Sequence, residues 1–127
     1  MTYKVLIVDD SKLARMSIAR TLTALQPDWI RLEAATADEA ILRLTEERAD
    51  IALLDFNMPG RDGLELAAQL QGLDPDMPLA VVSANIQDEV VARAREVGAA
   101  FLSKPLTEQA LADFFSGAQL RLRAMGR

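Results

Sequence analysis

The sequence predicts an α/β domain: a five-stranded parallel sheet with strand order 2-1-3-4-5 and helices on both faces. Strand and helix patterns alternate five times along 127 residues, and a repeated βα unit requires right-handed crossovers and a parallel sheet. Three of the five strands are continuous apolar runs, which is typical of central strands buried on both faces. We therefore expect a three-layer (βα)5 arrangement in a single domain over residues 1–127.

The first part of the chain supplies two strands and two helices. Lys4–Val8 is a predicted strand, and Lys12–Leu25 is a helix whose apolar residues recur at helical spacing until Pro27 stops it. Ile30–Ala34 alternates with charged residues, which suits a strand at the edge of the sheet. Thr36 then opens the second helix as the first residue of a capping box.

The same alternation continues to the end of the chain. The apolar strand Ile51–Leu54 is followed by a loop rich in Gly and Pro and by a helix that runs to Gly72. Leu79–Val82 is the fourth strand, and Gln87–Val97 is the fourth helix. Ala99–Leu102 is a short fifth strand, which suits the other edge of the sheet. The last helix begins at Thr107, its predicted N-cap residue.

Composition narrows the class of function. The net charge of −5 argues against direct binding of nucleic acid, which depends on clustered Lys and Arg. The absence of Cys excludes disulfides and fits a cytoplasmic protein, and the absence of His excludes His-based catalysis and most transition-metal sites. No apolar stretch approaches the length of a membrane span, so we expect no insertion into a membrane.

Polar side chains stand at the carboxyl ends of four predicted strands. Asp9 and Asp10 follow the first strand, Asp55 the third, Ser83 the fourth and Lys104 the fifth. In an open parallel sheet, ligands bind beyond the carboxyl ends of the strands, where the strand order reverses. We therefore expect three carboxylates, one hydroxyl and one ammonium to meet in a single site.

These residue types indicate phosphoryl chemistry assisted by a hard cation. Adjacent acids at a buried strand end repel one another, so a divalent cation is their natural occupant. Mg²⁺ (or Mn²⁺) prefers oxygen ligands and commonly combines one or two carboxylates with a substrate phosphate. Asp55 could complete such a site and act as a nucleophile, because carboxylates form aspartyl-phosphates. The loop after it would bring back a backbone carbonyl, that of Asn57, while Ser83 and Lys104 suit phosphoryl oxygens.

Taken singly, these residues also have ordinary structural interpretations. One of Asp9, Asp10 and Ser11 could simply cap the first helix, a Ser after a strand is commonly a turn residue, and a Lys is usually solvated. The frequencies of X–Pro isomers alone predict a trans bond before Pro105. The chain has no P-loop, no dinucleotide-binding glycine motif and no nucleophile elbow.

At these spacings the sequence resembles the response-regulator receiver domains of two-component signalling, the CheY-like family with a flavodoxin-like fold. The motifs that carry the resemblance are Val8-Asp9-Asp10, the run from Asp55 to Gly63, Ser83-Ala84 and Lys104-Pro105. Together they span essentially the whole chain.

The resemblance implies a role for each matching residue. Asp55 is the expected phosphoacceptor, assisted by Lys104 and Ser83. Asp10 is expected to bind the metal directly and Asp9 through water, with Asn57 contributing its backbone carbonyl as already inferred.

The resemblance also implies features around the site. Ser83 and Phe101 occupy the two switch positions, although Phe101 lacks the phenol hydroxyl that a tyrosine would provide there. Asn57 and Asn85 occupy positions that tune the lifetime of the phosphoryl group in the family. The bond before Pro105 is expected to be cis.

The implied function is signalling, with weak phosphotransfer and autodephosphorylation as the only chemistry. Asp55 would take a phosphoryl group from a phosphohistidine of a sensor histidine kinase or phosphotransfer protein. This would switch a face formed by the fourth helix, fifth strand and fifth helix, which would bind a downstream protein and could pair two copies of the chain. Two alternatives stay open: a phosphorylation-independent dimerisation or interaction module, against which the complete acidic site argues, and a phosphohydrolase of the haloacid-dehalogenase type, which needs a second Asp where Asn57 stands.

Overall fold

A computed structural model describes residues 2–127 as five strands that alternate with five helices. The alternation predicted from the sequence is confirmed. In chain order the elements are β1 (Lys4–Val8), α1 (Lys12–Leu25), β2 (Ile30–Ala34), α2 (Ala37–Glu46), β3 (Ile51–Asp55), α3 (Gly63–Leu73), β4 (Leu79–Ser83), α4 (Asp88–Glu96), β5 (Ala99–Ser103) and α5 (Glu108–Ala124).

The strands form one parallel sheet with the order β2-β1-β3-β4-β5, as predicted. The order reverses between β1 and β3, which makes this the switch point where ligands bind in open α/β sheets. Val8 pairs with Leu54 in the register of these two strands. The residues that follow, Asp9 and Asp55, are therefore neighbours at the carboxyl edge.

Two apolar clusters, one on each face of the sheet, form the core. Side chains alternate between the faces along β1, so Val5 and Ile7 pack with α1 and α5 while Leu6 and Val8 pack with α2, α3 and α4. All four are at most 1% exposed. Burial on both faces confirms that β1 is a central strand and explains its continuous apolar sequence.

Four of the helices begin with a side chain that caps the first turn. The side-chain oxygens of Ser11, Thr36, Asp62 and Thr107 each accept a hydrogen bond from the backbone N–H three residues later. Ser11 therefore performs the capping of α1, and the two aspartates before it are not used for that purpose.

Several element boundaries differ from the prediction by one residue. The strands β3, β4 and β5 each extend one residue beyond the prediction, to Asp55, Ser83 and Ser103, and α4 is one residue shorter at each end than predicted. The prediction that α3 ends at Gly72 was wrong, because the helix continues through this glycine to Leu73. The helix ends at Leu73 because Pro75 disfavours a helical conformation of Asp74, the residue before it.

Within residues 2–127, no helix combines the length and the apolar character that crossing a membrane requires.

Candidate functional site

The three aspartates at the switch point converge. Asp9, Asp10 and Asp55 each offer a carboxylate oxygen, and these oxygens lie within 4.8 Å of one another. Asp9 and Asp55 are buried, at 4% and 5% exposure, whereas Asp10 is exposed to solvent. A set of three carboxylates this close, with an open side, fits one divalent cation that keeps part of its water.

Lys104 brings the positive charge of the site to Asp55. Its Nζ lies 3.0 Å from Oδ1 of Asp55 and forms an ion pair with it. This ion pair does not have hydrogen-bond geometry, and among residues 2–127 the buried oxygen accepts no hydrogen bond. Oδ1 of Asp55 therefore keeps acceptor capacity that the folded chain does not use.

Ser83 lies on the next strand, fully buried. It follows Val82, which pairs with Asp55 across β3 and β4. Its Oγ accepts a hydrogen bond of 3.0 Å from the backbone N–H of Asn85, and its carbonyl accepts one of 3.0 Å from the backbone N–H of Lys104. Among residues 2–127 the hydroxyl donates no hydrogen bond, and the backbone links Ser83 directly to Lys104.

The other predicted site residues lie around this centre. Phe101 is half-buried on β5 and packs against the core cluster of α2, α3 and α4. Asn57 and Asn85 are exposed in the loops after β3 and β4. The peptide bond between Lys104 and Pro105 is cis. The family resemblance implies this isomer, whereas the general frequencies of X–Pro isomers favour trans.

Negative charge is disfavoured at the buried end of this cluster. Burial raises the pKa of the Asp9 carboxyl above its ordinary value, and the charges of Asp55 and Asp10 raise it further. A hydrogen bond from the backbone of Ser11 and the charge of Lys104 lower this pKa but do not cancel the effect of burial. A bound cation would relieve this electrostatic cost.

Gly63 holds the loop after Asp55 close to the site. Its backbone N–H donates a hydrogen bond of 2.9 Å to the carbonyl of Phe56. A Cβ at this position would overlap the backbone carbonyl oxygen of Asp55. Only glycine leaves room for this close approach, a requirement that the sequence motif includes but does not explain.

Arg15 is a member of the site region that sequence reasoning missed. Its Nη1 donates a hydrogen bond of 2.6 Å to the backbone carbonyl of Asp9, and its Nε donates one of 3.1 Å to the carboxylate of Glu33 on β2. The sequence offered one signal for this bridge: Glu33, a charged residue in the predicted edge strand β2, could pair with an arginine early in α1.

A cleft of about 570 Å³ opens beside the site, between α1 and the segment after β5. Asp9 and Lys104 line it together with apolar residues of both segments, namely Ala14, Ile18, Pro105 and Leu106. The buried carboxylate of Asp9 thus borders a partly apolar surface.

An open α/β sheet with three aspartates and a lysine at its switch point defines the class of protein: an acidic-site α/β domain of the receiver type. Residues 5–115 match the family model described as the response regulator receiver domain. The chain belongs to the response regulator receiver domain family.

Similar proteins agree with this assignment. The chain is 39% identical over 113 residues to the positive alginate biosynthesis regulatory protein of Pseudomonas aeruginosa, covering 86% of this chain and 44% of that protein. It is 31% identical over 114 residues to the response regulator protein VraR of Staphylococcus aureus, covering 89% and 54%. The chain therefore spans about half the length of these curated relatives.

Solved structures show the same fold along nearly the whole chain. A CheY-like response regulator receiver domain protein from Methanospirillum hungatei superposes with a TM-score of 0.87 at 25% identity, covering 98% of this chain and 99% of the other. The chemotaxis protein CheY4 of Vibrio cholerae gives a TM-score of 0.84 at 26% identity, covering 93% and 99%.

Proposed function

We propose that this chain is the phosphoacceptor domain of a response regulator, a single receiver domain over residues 1–127. Asp55 takes a phosphoryl group from the phosphohistidine of a sensor histidine kinase or phosphotransfer protein. The observation that carries the proposal is the environment of Asp55 Oδ1: it is buried, it lies 3.0 Å from the ammonium of Lys104, and it has no hydrogen-bond donor among residues 2–127.

The transfer exchanges one bond for another. A carboxylate oxygen of Asp55 forms a bond to phosphorus, the P–N bond to the donor imidazole breaks, and its electron pair returns to the imidazole nitrogen. Lys104 neutralises charge on the phosphoryl oxygens as the group moves. Because little covalent chemistry falls to the protein, positioning and electrostatics account for the acceleration.

The acidic cluster would hold Mg²⁺ or Mn²⁺ during the transfer. Its residues fit such an ion, since three carboxylate oxygens lie within 4.8 Å of one another. Asp10, Asp55 and the backbone carbonyl of Asn57 are the proposed direct ligands, and Asp9 acts through water. When bound, the ion would neutralise the carboxylates and the phosphoryl oxygens together.

Phosphorylation then acts as a switch. The product carries about −1.5 to −2 charges at pH 7, which would draw the Ser83 hydroxyl and the Lys104 ammonium inward and let Phe101 follow. Inverting a two-state population from about 1:99 to 99:1 requires roughly 5.5 kcal/mol. One charge-assisted hydrogen bond supplies about 1.5–3 kcal/mol, so both side chains must contribute.

The switched surface is the face formed by α4, β5 and α5, which would bind a downstream protein and could pair two phosphorylated copies. Asn57 and Asn85 would tune the lifetime of the phosphoryl group from their exposed positions. The donor would approach over the cleft beside α1, whose lining includes the apolar side chains of Ile18 and Leu106. A cytoplasmic location is part of the proposal, because histidine kinases present phosphohistidine there.

Intact-mass spectrometry after incubation with acetyl phosphate and Mg²⁺ tests the proposal. The wild-type chain should gain the mass of one phosphoryl group, Asp55→Asn should gain none, and chelation of the metal should prevent labelling. Asp28→Asn, which changes an exposed aspartate remote from the site, is the matched control and should label normally. Repeated turnover of a generic phosphate ester would instead favour a phosphohydrolase.

A second variant tests the switch. Ser83→Ala should still accept the phosphoryl group, because the nucleophile and the cation ligands are unchanged. NMR spectra should then show a reduced, but not abolished, phosphorylation-induced change in α4, β5 and α5. A complete response in this variant would contradict the proposed sharing between Ser83 and Lys104.

A further inference from the structure

We propose that Arg15 is a positioning residue of the metal site. It holds the peptide unit between Asp9 and Asp10 and so orients the Asp10 carboxylate toward the cation. This inference rests on the metal site of the proposed function and adds to it a residue outside the motifs of the acidic cluster.

The contact is specific to that peptide unit. The Nη1 of Arg15 donates a hydrogen bond of 2.6 Å to the backbone carbonyl oxygen of Asp9, the oxygen of the bond that joins Asp9 to Asp10. The backbone N–H of Asp9 donates in turn to the carbonyl of Ala34, at 3.1 Å. Both the N–H and the carbonyl of Asp9 are thereby hydrogen-bonded, which fixes the orientation of the peptide unit that leads to Asp10.

Asp10 depends on this backbone for its orientation. Its side chain is exposed, and among residues 2–127 its carboxylate has no hydrogen-bond or ion-pair partner. Asp9, by contrast, is buried, and its Oδ1 accepts a hydrogen bond of 2.8 Å from the backbone N–H of Ser11. Before a cation arrives, the backbone is what confines the Asp10 carboxylate near the other two.

Glu33 anchors the arginine. Its carboxylate accepts the hydrogen bond from Arg15 Nε at 3.1 Å, and Glu33 lies in β2 opposite Ile7 of β1. The guanidinium therefore spans from a strand of the sheet to the loop that carries the acidic pair. Only 15% of the Arg15 side chain is exposed, compared with 36% of the Glu33 side chain, so the arginine is the shielded partner of this bridge.

An arginine is suited to this task and a lysine is not. The guanidinium presents several donors in a rigid planar fork, so one side chain can bind the carboxylate and the carbonyl at the same time. An ammonium is a point charge on a flexible stem and cannot span both acceptors in fixed geometry.

Two effects of Arg15 on a cation have opposite signs, which makes the inference testable. Its positive charge repels a cation nearby, so removing the charge alone would strengthen binding. Its hydrogen bond orients a ligand, so removing the hydrogen bond would weaken binding. Groups that orient metal ligands typically change affinity by about 10- to 100-fold, so we expect the positioning effect to prevail.

Isothermal titration with Mg²⁺ alone, at a temperature where every variant is folded, measures the difference. Arg15→Lys and Arg15→Met should both bind Mg²⁺ about tenfold more weakly than wild type. Glu33→Gln, which loosens the anchor but keeps the arginine, should show a smaller loss. Arg31→Met is the matched control, because Arg31 pairs with the other oxygen of Glu33 at 3.7 Å and has no hydrogen bond to Asp9; it should bind like wild type.

The outcomes separate this inference from the proposed function. If Arg15 served only to stabilise the fold, urea unfolding midpoints would fall while the Mg²⁺ dissociation constant of the folded variants stayed unchanged, which would overturn the inference. Wild-type affinity for Arg15→Lys together with tighter binding for Arg15→Met would reduce Arg15 to a repelling charge and overturn it as well. Failure of the wild-type chain to bind Mg²⁺ would overturn the metal site itself.

Discussion

Charged residues cluster at both ends of the parallel strands: at the amino edge, where the strands begin, and at the carboxyl edge, where they end. The acids are paired at the amino edge and left largely unpaired at the carboxyl edge. At the amino edge, Asp50 and Asp74 share the guanidinium of Arg127. At the carboxyl edge, three aspartates surround one ammonium, that of Lys104.

The acids of the amino edge are paired and hydrogen-bonded. Nη2 of Arg127 lies 3.0 Å from Asp50, and Nη1 lies 3.3 Å from Asp74. The second oxygen of Asp50 accepts a hydrogen bond of 2.9 Å from the backbone N–H of Lys4. The Arg127 side chain is only 14% exposed, so these contacts tie α3, β1 and β3 to the segment after α5 with little solvent screening.

The carboxyl edge is left unbalanced. A buried oxygen of Asp55 lacks a hydrogen-bond donor among residues 2–127, and the pKa of Asp9 is raised chiefly by burial. The fold thus satisfies its charged groups at the amino edge and leaves those at the carboxyl edge unsatisfied, where a ligand would enter. Perturbed titratable groups cluster at functional sites for this reason.

Gly63→Ala should produce the largest effect, because it adds volume at the crowded carboxyl edge. The new methyl group would overlap the Asp55 carbonyl, and overpacking of this kind costs up to about 3 kcal/mol. Urea unfolding should show this loss, and labelling by acetyl phosphate should fall with it.

Gly72→Ala is the matched control for that change. Gly72 lies inside α3 with open space around its Cα, so alanine should stabilise the helix by about 0.4–1 kcal/mol. Equal stability of the two alanine variants would contradict the close approach at Gly63.

Arg127→Met should produce the next largest effect, at the amino edge. It leaves Asp50 and Asp74 without their shared cation, and breaking a buried pair costs about 3–5 kcal/mol, reduced to about 2 kcal/mol by the partial exposure of the acids. The Mg²⁺-dependent rise in melting temperature should be retained. Arg123→Met, at an exposed position near the end of α5, is the control and should change the free energy of unfolding by less than about 0.5 kcal/mol.

Asp9→Asn should stabilise the metal-free protein, whereas Asp50→Asn should destabilise it. The amide keeps an oxygen for the Ser11 hydrogen bond and removes a buried charge beside two others, a gain of about 1 kcal/mol. At Asp50 the same change removes the partner of Arg127. Melting in the presence of a chelator measures both, and a loss of stability in Asp9→Asn would refute the imbalance proposed for the carboxyl edge.

The pH dependence of this difference has a defined sign. The folded state raises the pKa of Asp9, so it holds the proton more tightly than the unfolded chain does. The contribution of Asp9 to the stability of the metal-free wild type should therefore fall as pH rises from the ordinary value of 3.8 through the raised pKa. The advantage of Asp9→Asn over wild type should grow across this range and then level off.

Lys4→Met should have the smallest effect, although it also removes an ion pair of the amino edge. Lys4 and Glu47 lie 3.3 Å apart with 34% and 45% of their side chains exposed. Exposed pairs contribute about 0–1 kcal/mol, so urea unfolding should differ from wild type by less than about 0.5 kcal/mol. A loss as large as that of Arg127→Met would show that burial is not what separates the two pairs.

The alternation of elements, the strand order and the convergence of the aspartates were all predictable from the sequence. Each depends on a repeating pattern: apolar runs mark the strands, and parallel strands place their carboxyl ends at one edge. The positions of Asp9, Asp55 and Ser83 at the site follow directly from that rule.

The bridges made by the two arginines were decided only by the tertiary structure. Arg15 meets Glu33 across 18 positions of sequence, and Arg127 meets Asp50 across 77. The sequence pattern around a charged residue does not identify its ion-pair partner, because the pairing depends on how strands and helices pack against one another in space. The repeating pattern of strands and helices therefore sets which groups gather at the carboxyl edge, whereas the packing of these elements sets which charges are neutralised and which are left for a ligand.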